Sequence, residues 1–205
     1  MSSEIPLEIR TAAVLAGGRS SRFGTNKALA PWFNGCVIDA VVAAAKKSAD
    51  DVIIISCNHE LYRYLNLPVY PDTVPDIGPL AGLHSALSHS KGSRVLLLAC
   101  DMPLVTPGML NWLWEISPES PVTAPELHTG IEPLHAIYHK SILPLVEHQM
   151  SAGELSLKSL IAKTPNHIVT REVIVNTGFD PDCLCNANTP DQLERLRYIS
   201  TGLHN

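Results

Sequence analysis

Charge is scarce in this chain. Only 17% of its 205 residues are Asp, Glu, Lys or Arg, and hydrophobic residues reach 45%; an average soluble protein carries roughly 25% charged residues. That balance excludes an intrinsically disordered chain and supplies apolar surface for a substantial core. Positive charge is not in excess, since 15 Lys+Arg against 20 Asp+Glu leave a net charge of −5. The broad basic face that displaces counterions from nucleic acid is therefore missing, and any anion must be held in a local pocket. Long apolar runs are missing too. The longest is residues 95–100 (VLLLAC), far short of the roughly 20 residues that cross a bilayer. The first ten residues, MSSEIPLEIR, carry no apolar signal-peptide segment. Five cysteines are an odd count, too sparse for a disulfide scaffold, and no Asn-x-Ser/Thr acceptor occurs. These absences lead us to expect a reduced, soluble, cytoplasmic protein with no nucleic-acid or membrane partner.

What is present is an alternation of strands and helices. Residues 11–16 (TAAVLA), 51–57 (DVIIISC) and 94–100 (RVLLLAC) read as buried strands, with a brief one at 68–71. Helices are expected from Val37 to Ala45, near 59–65, and after Gly78-Pro79 along Leu80, Leu83 and Leu87. Thr106-Pro107 should cap another, with Leu110, Leu113 and Trp114 as its apolar stripe. Strands at 121–127 and 134–138 follow, joined through His128-Thr129-Gly130, then helices near 141–150 and 155–163. Short β-prone pieces lie at 167–170 and 173–175, and a last helix starts at Thr189-Pro190 with Gln192 completing a capping box. Strands that alternate with helices imply parallel pairing and right-handed crossovers. Continuous apolar strands imply helices on both faces. The expected fold is one α/β domain over residues 1–205, a three-layer α/β/α sandwich on a mostly parallel, Rossmann-like sheet.

After the first strand comes LAGGRSSRFGTNK, residues 15–27. It matches neither the Walker A spacing nor GxGxxG. Its parts nonetheless suit a polyphosphate. Gly17, Gly18 and Gly24 let backbone N–H groups approach an anion, Ser20 and Ser21 add donors, and Arg22 and Lys27 add charge. An ordinary turn with solvated basic residues is the plainer alternative. Asp101 ends the strongest strand, where open α/β sheets place their ligand crevice. A carboxylate there, beside phosphates, can hold Mg²⁺, which takes one or two carboxylates plus phosphate oxygens and water. Asp72 is a second candidate and Asp76 a third; a turn or helix cap is the plainer alternative for Asp101, and Asp72 could equally be a turn residue.

These residues carry a resemblance. The pattern L-A-G-G-x-S-x-R-x-G-x-x-K, then G-P-L-A-G-L at 78–83 and C-D-M-P at 100–103, resembles the molybdenum cofactor guanylyltransferases (MobA type). E-P-L-H-A-I-Y at 132–138 and N-x-N-T-P at 186–190 agree, in family order and spacing. The resemblance implies a GTP-dependent enzyme with Mg²⁺ that joins GMP to the phosphate of molybdopterin and releases pyrophosphate. Carried over by position, Leu15, Ala16, Gly17 and Gly18 would contact GTP through the loop backbone. Lys27 and Arg22 would hold its phosphates, Asp72 would lie in the nucleotide site, and Asp101 would bind metal and nucleotide. Where some relatives place a nucleotide-contacting asparagine, this chain has Ser56, with Asn58 two residues on as the substitute. The first half would hold GTP and Mg²⁺. Residues 120–190 would form the molybdopterin side, through Glu132, His135, Asn186 and Asn188, although His135 could be a core histidine and Asn188 a helper of the Thr189 cap. Apo-molybdoenzymes or their chaperones would receive the product.

Three rivals stand beside this expectation: a CTP-dependent sister enzyme, a noncatalytic nucleotide or cofactor carrier, and a sugar-nucleotide synthetase, whose loop ends in Pro-Lys where this chain has Asn26-Lys27. Other chemistries find little support. Cys183-x-Cys185 lacks a second ligand pair at zinc-finger spacing and reads as strand thiols, His59-Glu60 lacks the second histidine of HExxH, and no Gly-x-Ser-x-Gly elbow occurs.

Overall fold

The computed structural model describes residues 8–17, 26–74, 77–117 and 120–202. Its first half alternates as the apolar periodicity requires: β1 (Arg10–Leu15), a hairpin of β2 (Pro31–Trp32) and β3 (Gly35–Cys36), α1 (Val37–Lys46), β4 (Asp51–Ile55), α2 (His59–Tyr62), β5 (Val69–Tyr70), α3 (Pro79–His89), β6 (Arg94–Ala99) and α4 (Pro107–Glu115). The second half runs β7 (Val122–Leu127), β8 (Gly130–Ile131), β9 (His135–His139), α5 (Leu143–Ser151), α6 (Leu157–Ala162), β10 (Asn166–Val169), α7 (Arg171–Asn176) and α8 (Pro190–Gly202).

The main sheet has the order β10-β7-β9-β6-β1-β4-β5, with β8 paired to β7. β1 lies parallel between β4 and β6, and β5 and β10 are parallel to β4 and β7. β9 runs antiparallel between β6 and β7. That reversal decides where the site forms, because the start of β9 arrives at the edge where β6 ends. Alternate side chains then divide between two cores. Val14, Ile54, Leu96, Leu98 and Ile137 pack with α1 and α4, whereas Ala13, Ile53, Leu97, Ala136 and Tyr138 pack with α3, α5 and α6. Both faces are covered, as expected.

Four details differ from the sequence reading. The hairpin β2–β3 and the short β8 carried no periodic signal. Residues 173–175 are helical: the Thr170 hydroxyl accepts from Val173 N and Ile174 is buried, so cap and burial override β-branching. Cys183 lies in a 3-10 turn, Pro181–Leu184, with Cys185 just after it, so neither is a strand thiol. At α8, Thr189 Oγ1 accepts from Gln192 N, but Gln192 Oε1 accepts from Asn188 N, one residue before the expected partner.

Candidate active site

The carboxyl ends of β1, β4, β5 and β6 meet the amino end of β9 along one edge of the sheet. Cys100 N donates to Leu15 O at 3.2 Å and Ala99 N to Leu134 O at 3.0 Å, which holds the three central strands together at that edge. Asp101 follows immediately. Burial pushes the neighbouring Cys100 thiol up to about 12, so it stays protonated and chemically quiet.

Lys27 reaches the same place from a 3-10 turn, Lys27–Leu29. Asn26 Oδ1 caps that turn by accepting from Ala28 N, while Asn26 Nδ2 donates to the hydroxyl of buried Tyr62 at 2.9 Å. The turn is therefore anchored in the core. The Lys27 ammonium pairs with the Asp101 carboxylate, although the two residues are 74 positions apart. The Asp101 side chain is 5% exposed and that of Lys27 27%.

Ala187 N donates to Asp101 O at 2.8 Å, and Asn188 Nδ2 donates to Asn186 Oδ1 at 3.1 Å. The N-x-N segment is thus tied to Asp101 by the main chain. Glu132 Oε1 accepts from Leu134 N at 3.0 Å. Burial raises its carboxyl above the usual range; the Leu134 N–H and Lys158 oppose that, and the charge of Asp101 adds to it. Lys158 of α6, near enough that a side chain at Gly130 would meet its Nζ at 3.7 Å, was missed in the sequence. A lone lysine on an amphipathic helix carries no signal there.

Asp72 is half-buried, and desolvation raises its carboxyl, only partly offset by the Cys57 thiol 3.9 Å away. Gly17 and Gly82 flank it. A Cβ on Gly17 would meet Asp72 Oδ2 at 3.4 Å, and one on Gly82 would press Leu15 Cδ2 at 2.9 Å. Ser56 is buried and its hydroxyl is committed, donating to Ala16 O at 3.0 Å and accepting from Asn58 N at 3.2 Å. It clasps two strand ends together, while Asn58 stands exposed at the start of α2.

Leu15, Ala16, Gly17, Lys27, Asn58, Asp72, Asp101, Glu132, Asn186 and Asn188 therefore gather along the strand ends. Gly18, Ser20, Ser21, Arg22, Gly24 and Asp76 lie outside the described residues. His135, for which the sequence leaves open a pterin contact or a core histidine, lies in the core. It is fully buried opposite Leu98, on the strand face that Ile137 shares, because β9 enters the sheet there and not at the rim. Its ring nitrogens have no hydrogen-bond partner among the described residues. Burial pushes the imidazole down to about 4, against a weaker pull from the Leu134 backbone.

That buried imidazole predicts acid sensitivity. The unfolded chain takes up the proton below about 6.5, the folded chain only below about 4. This contribution is therefore intact above pH 6.5 and lost as pH falls between those values, amounting to about 2 kcal/mol from pH 7 to pH 5. Thermal melts at pH 7 and pH 5 should show a steeper fall for the wild type than for His135→Leu. Equal slopes would refute it.

Among the described residues no three His, Cys, Asp or Glu side chains converge as a metal cage. A lone buried Asp101, with the under-compensated Asp72 nearby on the same edge, fits a hard divalent cation that draws its remaining ligands from phosphate and water. It does not fit a zinc site.

A phosphate-suited loop, a lysine and an aspartate at the ends of parallel strands define an α/β protein of the nucleotidyltransferase class. The MobA-like NTP transferase domain matches residues 12–168, and the chain belongs to that family. A Carboxydothermus hydrogenoformans protein named probable molybdenum cofactor guanylyltransferase is 36% identical over 189 residues, covering 92% of this chain and 95% of that protein. One of the same name from Clostridium perfringens is 38% identical over 190 residues, covering 91% and 96%. The crystal structure of molybdopterin-guanine dinucleotide biosynthesis protein A from Archaeoglobus fulgidus shares the fold, with a TM-score of 0.80 at 24% identity over 94% of this chain and 99% of that one.

Proposed function

We propose that the chain transfers GMP from GTP to the phosphate of molybdopterin, forming the guanine dinucleotide and pyrophosphate. The observation that carries this reading is the Lys27–Asp101 pair at the strand ends, in a chain whose relatives of about the same length bear that activity in their names. The first half of the chain takes the nucleotide, and residues 120–190 take the pterin, with Glu132, Asn186 and Asn188 lining that side. No described helix is long and apolar enough to cross a membrane; we place the enzyme in the cytoplasm, with apo-molybdoenzymes or their chaperones receiving the product.

The acceptor phosphate is already ionised at neutral pH, so the step needs no strong base. One of its oxygens bonds to the α-phosphorus of GTP, and the α–β bridging oxygen departs with its electron pair as pyrophosphate. Rate then depends on in-line positioning and on offsetting charge. The backbone at Leu15, Ala16 and Gly17 orients the nucleotide, and Lys27, with Arg22, offers positive charge to the departing phosphates. Asp101 would hold Mg²⁺, which supplies Lewis-acid polarisation of the α-phosphate when bound.

The test is an anaerobic assay with molybdopterin, Mg²⁺ and α-labelled GTP, with CTP run in parallel. Label should enter a pterin dinucleotide from GTP and not from CTP. Transfer from CTP alone would move the protein to the sister activity. Tight GTP binding without transfer would leave it a carrier.

A further inference from the structure

One turn of α3 grips three consecutive residues of the loop after β5. Ser85 Oγ donates to Pro71 O at 2.7 Å, Gly82 faces Asp72 closely enough that a Cβ would meet Oδ1 at 3.5 Å, and His84 Nδ1 lies 2.7 Å from Thr73 Oγ1. The other ring nitrogen, His84 Nε2, faces Glu147 of α5 at 3.5 Å. A carboxylate on Nε2 favours the proton there, which leaves Nδ1 to accept from the Thr73 hydroxyl. The imidazole itself is well covered, with 14% of its side chain exposed.

We infer that His84 is a positioning residue for nucleotide binding: braced by Glu147, it pins Thr73 and thereby fixes Asp72 against the Gly17 backbone. The need for such a brace is visible in Asp72 itself. Its carboxyl is half-buried with little to offset the desolvation, so an unheld side chain would turn toward water and away from the strand ends. The helix supplies the rigid element and the loop supplies the functional group, so that restricting the loop before ligand arrives lowers the ordering cost of binding. Ser85 fixes only a main-chain carbonyl on the near side of Asp72. The His84–Thr73 contact is what fixes the far side. Glu147, 58% exposed, contributes the smaller share.

The inference rests on the reading that Asp72 faces the nucleotide, so GTP binding is measured directly beside turnover. Equilibrium dialysis with α-labelled GTP and Mg²⁺ would compare the wild type with His84→Ala, His84→Asn and Thr73→Val. His84→Ala should weaken GTP binding and raise KM for GTP roughly tenfold, with kcat and KM for the pterin within about twofold. His84→Asn places an amide oxygen near the Nδ1 position and should recover most of the affinity. Thr73→Val, nearly isosteric, should match His84→Ala, and the double variant should add nothing further. Undiminished GTP affinity in Thr73→Val would overturn the inference, as would equal losses in His84→Ala and His84→Asn. A wild type that binds GTP but transfers no GMP would sink the functional reading alone, since the binding series still decides the role of His84.

Discussion

Asp101→Asn should lower GMP transfer by about a thousandfold, the largest effect expected of any single substitution here. The amide keeps the shape of the carboxylate and removes its charge, and with it the group best placed to hold a divalent cation. The fold should tolerate the change. The tie to the N-x-N segment runs through Asp101 O, which the substitution leaves in place. The Lys27 side chain is partly exposed, so water can solvate its ammonium when the carboxylate is gone. Melting temperature should therefore stay within a few degrees of wild type while kcat collapses. The check is single-turnover transfer with α-labelled GTP, run beside a thermal melt. Turnover within tenfold of wild type would remove Asp101 from the chemistry and require another anchor for the metal.

Apart from the β2–β3 hairpin, the strands and helices up to α4 were legible because each is signalled locally, by an apolar run, a cap such as Thr106, or a proline at the first helical turn. The position of Asp101 was legible for the same reason, just past the end of the most continuous apolar strand. What was not legible depends on long-range pairing. Nothing local states that β9 runs antiparallel beside β6, yet that pairing brings Glu132 toward Asp101 and buries His135. Ser56 stands where some relatives place a nucleotide-contacting asparagine, but its hydroxyl is occupied by the carbonyl of a residue 40 positions away. Residues 173–175 misled for the opposite reason, since their β-branched composition is a weak preference and the Thr170 cap with burial of Ile174 outweighs it.

Lys27→Met should cost about a hundredfold in turnover, less than Asp101→Asn, because it removes one unit of charge from the phosphates and leaves the metal-binding carboxylate in place. Its effect on stability should run the other way. Asp101 is nearly buried and already feels the charge of Glu132. Deleting the ammonium that faces it leaves a desolvated carboxylate without that hydrogen bond, a loss of about 1–3 kcal/mol. Removing both members should then restore stability, since the double variant Lys27→Met/Asp101→Asn buries an amide where the single variant buries a charge. The expected order of melting temperature is wild type and Asp101→Asn together, the double variant slightly below, and Lys27→Met lowest, with the double variant as inactive as Asp101→Asn alone. Thermal melts and transfer rates on the four proteins complete the cycle. A double variant less stable than Lys27→Met would mean that the pair stabilises the fold by some route other than the offset of a buried charge.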